Sequence, residues 1–116
     1  MKFGHRKMIK NNIFQFRGEK PAAGCEIFES VAEGFGDFKV ERILSSQYEN
    51  GKWYEQSADE LVVLLSGEAE LEFESERIKL AAGDFIKIKS GVRHRVASTS
   101  PENNPCVWLA VFGKFR

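Results

Sequence analysis

From Glu68 to Glu74 the chain reads EAELEFE, with Ala69, Leu71 and Phe73 on one face of an extended segment and glutamates on the other. A period of two marks a β-strand with one face toward the core and one toward water. On this reading Glu68, Glu70, Glu72 and Glu74 form a solvated acidic stripe. Working outward, similar short runs occur at Asn12–Phe16, Glu26–Val31, Phe38–Leu44, Leu61–Leu65, Arg77–Leu80, Phe85–Ile88, Arg93–Ala97 and Cys106–Phe112. Gly, Asn, Ser or Pro punctuates them. No stretch keeps three-and-four spacing over three turns, and the only plausible helical turns lie near Lys20–Gly24. Many short strands in a chain of 116 residues predict an all-β fold, a jelly-roll β-barrel that protects its sheet edges by closing or pairing sheets.

Composition narrows the class. With 42% apolar and 29% charged residues the chain suits one soluble domain, and its length does not suffice for two. Lys plus Arg equals Asp plus Glu, so overall charge points neither to nucleic acid nor to an anionic membrane surface. The longest apolar run, Leu61–Leu65, is far too short to span a bilayer, and no signal core is visible, so a cytoplasmic location is expected. Cys25 and Cys106 lack CxxC spacing and are read as free packing thiols. Residues 1–11 are expected to be a poorly ordered leader, with Met8 a possible natural start and His5 irrelevant to function. Residues 12–116 then form the single domain.

Two segments carry chemistry-competent side chains between glycines. Glu60 runs through an apolar strand to Gly67, and His94 follows Gly83 and Gly91. If these segments form hairpins that face each other, a carboxylate and an imidazole meet inside the barrel.

These residues resemble the cupin family, whose motifs are GxxxxxHxHxxx(x)ExxxxxxG and GxxxxxPxGxxHxxxN. The second reads GDFIKIKSGVRHRVAS from Gly83 to Ser98, matching at Gly83, Gly91 and His94, with Lys89 for the proline and Ser98 for the asparagine. The first keeps Glu60 and Gly67 but lacks both histidines. Tyr54 and Gln56 take their places if three residues intervene, Trp53 and Glu55 if four do. The strings WYEQ, DELVVLLSGEAELEFE, RHRV and VWLAVF are similar to those of small single-domain bacterial cupins. The resemblance implies a double-stranded β-helix whose two histidines, glutamate and later histidine bind iron, manganese, zinc or nickel.

Here Glu60 and His94 are the strong candidate ligands, and Gln56 offers a weaker amide oxygen. Tyr54 and Trp53 are more often pocket walls than ligands. The bland alternative is a Glu–His hydrogen bond closing a polar patch in the core. Strand alternation points Arg93 and Arg95 away from His94. Two functions stay open. One is a binding cupin that holds a small polar ligand, with or without a divalent metal, against Tyr54, Gln56, Glu60 and His94. The other is an enzyme: a metal-dependent dioxygenase, isomerase or hydrolase, or a metal-free Glu60/His94 acid–base catalyst. A purely structural interaction domain is the third and weakest reading. The terminal strand is apolar on both faces at Val107–Phe112, which suits burial in a sheet or at a dimer interface. A homodimer is expected.

Overall fold

The computed structural model describes residues 7–16, 18, 20–100 and 104–116. His5 and residues 1–6 lie outside the described residues, and residues 7–11 carry no strand or turn. Eight strands follow in order: β1 (Cys25–Glu33), β2 (Lys39–Ser46), β3 (Asp59–Ser66), β4 (Glu68–Phe73), β5 (Arg77–Ala81), β6 (Phe85–Ile88), β7 (His94–Thr99) and β8 (Cys106–Gly113). No helix occurs among the described residues, and the turn at Ala23–Gly24 replaces the helical turn expected nearby. The fold is the expected all-β jelly roll.

Two antiparallel sheets face each other. One has the order β1-β2-β8-β3-β6 and the other β5-β4-β7. From β3 onward the chain alternates between them, crossing after β3, after β5, after β6 and after β7. Inward-facing residues fill the space between: Val62 and Leu64 from β3, Ala69 and Leu71 from β4, Leu80 from β5, Ile88 from β6, and Trp108, Ala110 and Phe112 from β8. Their alternation along each strand is what the period-two pattern encodes.

The crossing from β3 to β4 depends on one residue. Gly67 has φ +94°, and a Cβ built there would lie 2.5 Å from Cys106 Sγ. Gly67→Ala is therefore expected to lower stability by about 2–4 kcal/mol, combining backbone strain with overpacking. The midpoint of urea unfolding reads this, and an unchanged midpoint would contradict it.

Four expectations need correction or refinement. Asn12–Phe16 is a turn rather than a strand: Asn12 Oδ1 accepts from the Phe14 amide at 2.8 Å, and the Gln15 amide donates to the Asn12 carbonyl. Asn favours such local bonding. The carbonyls of Ile13 and Gln15 accept from the buried Arg42 guanidinium at 3.1 and 2.7 Å instead of joining a ladder, while Arg42 also grips Glu29 with two bonds. The acidic stripe is also not simply solvated. Glu70 pairs with Arg77, and Glu72 pairs with both Arg77 and Arg95. Cys106 is a buried packing thiol, but Cys25 is exposed, and both are free. Lastly, β8 is apolar on both faces because it lies inside the larger sheet between β2 and β3.

Candidate functional site

Glu60 shares the inward face of β3 with Val62 and Leu64, one register step from the strand's start. His94 opens β7 opposite Phe73 of the neighbouring strand, so both point between the sheets. Each is buried, at 6% and 7% exposure. Their separation is 3.4 Å, from His94 Nε2 to Glu60 Oε1.

The segment before β3 supplies the rest by running along β7. Thr99 and Tyr48, Ala97 and Asn50, and Val96 and Gly51 are joined by backbone bonds, and Tyr54 and His94 exchange a reciprocal pair at 2.8 and 3.0 Å. This ladder places Tyr54 beside the imidazole, with ring centroids 6.2 Å apart. Two residues on, Gln56 donates from Nε2 to Glu60 Oε1 at 2.7 Å, and its carbonyl accepts from the Gly91 amide at 2.8 Å. Gly91 has φ +81°, a conformation glycine adopts without strain. Tyr54 and Gln56 thus line the cavity, whereas Trp53 and Glu55 are not in its wall. Trp53 instead lies outside, its ring beneath Arg93 and Arg95 at 4.3 and 4.5 Å. Arg95 donates to Glu72 at 2.8 Å and also contributes to the wall of the cavity that holds His94, so alternation does not remove it from the site altogether.

These groups line a cavity of about 80 Å³. Most of its wall is apolar: Ile43, Val62, Leu71, Ile88, Trp108 and Phe112. Sequence reasoning missed Glu26, Tyr48, Lys52 and Trp108 in that wall. The weak signal for Glu26 is a carboxylate beside the apolar pair Ile27 and Phe28 near the start of a strand. Trp108 gave none beyond its hydrophobicity. Its Nε1 is buried without a hydrogen-bond partner among the described residues.

The proton arrangement follows from the bonds. His94 Nδ1 lies 2.9 Å from the Val92 carbonyl. A carbonyl only accepts, so Nδ1 carries hydrogen and Nε2 is the nitrogen whose proton is exchangeable. Burial pushes the His94 imidazole down, but the Glu60 carboxylate at Nε2 and the Val92 carbonyl outweigh it, and its pKa rises above the ordinary 6.5. Burial raises the Tyr54 phenol, as do the carboxylates of Glu26 and Glu60, so Tyr54 keeps its proton and acts as a donor.

As a metal site the set is lean. Among the described residues no three His, Cys, Asp or Glu side chains converge. Two ligands at about 2.0–2.1 Å from one ion span a gap close to that between Nε2 and Oε1, but open zinc sites use three protein ligands. Gln56 turns its amide N–H toward Glu60, and rotation of the amide would be needed to present oxygen. The donor set fits a weakly held, exchangeable divalent ion rather than a tight one.

Comparison with known proteins agrees with this architecture. The family pattern described as "Cupin domain" matches residues 46–112. A crystal structure from Ralstonia eutropha JMP134, provisionally described as a mannose-6-phosphate isomerase, is 35% identical, with 91% of this chain and 98% of that one covered at a TM-score of 0.77. A conserved protein with a double-stranded β-helix domain from Klebsiella pneumoniae is 24% identical, with 81% of each chain covered at 0.67. A cupin superfamily protein from Desulfitobacterium hafniense DCB-2 is 15% identical, with 84% of each chain covered at 0.65. No curated protein matches the sequence significantly.

Proposed function

Because the chain belongs to the cupin family, we propose that it binds a small polar molecule in the barrel cavity through Glu60, His94, Gln56 and Tyr54. The observation that carries this is that His94 and Gln56 both meet Glu60 Oε1, with Tyr54 beside His94, in a cavity whose remaining wall is mostly apolar. A few polar groups in an apolar concavity fix a ligand's orientation. Should an iron, manganese, zinc or nickel ion enter, Glu60, His94 and the Gln56 amide oxygen would hold it, and it would supply Lewis acidity. The chain's own groups orient the ligand: Glu60 accepts, Tyr54 donates, and His94 holds or releases a proton at Nε2.

The isomerase description belongs to the Ralstonia protein, and the reading proposed here rests on the side chains of this pocket. Enzyme function is the alternative reading, favoured by one feature: His94 Nε2 faces a carboxylate, as in an acid–base pair. Turnover lost in His94→Ala with the fold intact would select it.

The direct test is thermal unfolding across a broad metabolite panel, with metal content measured on protein purified without a nickel column. At least one compound is expected to raise the wild-type midpoint and to lose that effect in Glu60→Gln and His94→Gln. A silent panel together with absent metal would sink the proposal.

Two copies are further proposed to pair through β1, an edge strand carrying Phe28 and Val31 at 49% and 54% exposure. Light scattering showing a monomer at micromolar concentration would contradict that.

A further inference from the structure

Of the residues in the cavity wall, Phe28 and Lys52 are the exposed ones, so the mouth lies where β1 faces the segment 48–54. Phe28 stands across from the buried Ile43 and shares its inward face, yet it is 49% exposed. Half of an aromatic side chain is thus left bare on a face that is otherwise core. Pairing of β1 with a second copy would extend the sheet in its own plane and leave this side chain, which stands perpendicular to the sheet, over the cavity.

Phe28 shares the wall with hydrocarbon side chains, Ile43, Leu71, Val96 and Trp108 among them. The two carboxyl groups of the wall are already bonded within the protein. Glu60 Oε1 meets Gln56 and His94, and Glu26 receives the buried Ser45 hydroxyl at 2.6 Å together with the Tyr48 side chain. A ligand hydroxyl pressed against the hydrocarbon part of the wall gives up water and finds no partner there. A hydrocarbon group that covers Phe28 gains instead, because it takes apolar surface out of water.

We infer that Phe28 is a ligand-contacting residue at the cavity mouth, and that the ligand carries a compact apolar body, a ring or short hydrocarbon chain, behind the polar group that reaches the Glu60–His94 pair. This rests on the cavity being the binding site. It adds a contact residue and a ligand class, amphipathic molecules rather than polyols or sugars. The preference does not turn on the charge of His94, Glu26 or Lys52, nor on an ion at Glu60, because contact between hydrocarbon surfaces follows the area covered.

The test uses the full chain, labelled with ¹⁵N, and follows the Trp108 indole signal, with the Trp53 indole outside the cavity as internal control. Benzyl alcohol is the probe with one hydroxyl on an apolar body, and erythritol the probe with hydroxyls and no such body. Benzyl alcohol is expected to shift the Trp108 signal saturably and to bind more tightly than erythritol by about tenfold or more. Phe28→Ala should weaken benzyl alcohol by about fivefold or more and leave erythritol unchanged, while Phe28→Leu, which keeps apolar cover at the mouth, should retain most of the affinity. Erythritol binding as tightly as benzyl alcohol, or benzyl alcohol bound equally well by wild type and Phe28→Ala, would overturn the inference while leaving the pocket a binding site. If Phe28→Ala does not fold, the wild-type ranking decides alone. A Trp108 signal unmoved by both probes overturns the inference, and the metabolite panel then shows separately whether the binding reading has failed too.

Discussion

Trp108→Ala is expected to lower the unfolding free energy by about 3–5 kcal/mol, a large share of the roughly 5–15 kcal/mol of a domain this size. Trp108 is 2% exposed on the central strand β8 and stands across from Ile43 of β2 and Leu64 of β3. Truncation removes the largest fully buried side chain and leaves its neighbours with no partner atoms on one side. The void joins the cavity it lines, so relaxation is limited by two sheets hydrogen-bonded around it. Trp108→Phe should cost much less, because it keeps most of the ring and discards an N–H that has no acceptor among the described residues. Urea unfolding measures both. The alanine variant losing no more than the phenylalanine variant would show that the tryptophan is not a packing keystone.

Glu60→Ala should be comparably costly, about 3–5 kcal/mol near neutral pH, because it strands the buried His94 opposite an empty space. It should also reverse the pH dependence. In the wild type the folded-state pKa of His94 is raised above 6.5. The folded protein therefore holds this proton more tightly than the unfolded chain, so the contribution is complete below pH 6.5 and is lost as pH rises through the raised value. Without Glu60, burial becomes the dominant influence and pushes the imidazole down, so stability should rise with pH through the same window. Unfolding free energies measured from pH 5 to 9 in wild type and Glu60→Ala test this, with His94→Gln as the control that flattens both slopes. Parallel slopes in wild type and Glu60→Ala would show that the pair is not coupled.

Much of this was legible in the chain. Alternation in EAELEFE and its companions, with the short apolar runs at Leu61–Leu65 and Val107–Phe112, located the eight strands of the described residues within a few residues, because a half-buried strand must alternate and a strand buried on both faces reads as a short apolar run. The turn at Asn12–Phe16 was misread because five residues of mixed polarity satisfy a strand pattern equally well. What settles the segment is Arg42, from another element, which takes its carbonyls. The candidate site divides in the same way. Glu60 and His94 were found because each sits at a fixed distance from a glycine that a tight turn requires. Glu26 was not found, because it faces the cavity only through pairing of β1 with β2.

Sequence alone determined the all-β class, the succession of strand segments along the chain and the two candidate groups at positions 60 and 94, since these follow from periodicity and turn chemistry within single segments. Only the tertiary structure decided that Tyr54 and Gln56 rather than Trp53 and Glu55 reach the cavity, that Arg95 bonds Glu72 and also lines the cavity, and that Glu26 joins Glu60 in the cavity wall. Those outcomes depend on which strands lie side by side. Pairing between distant segments is set by burial over the whole molecule, and no local pattern contains it.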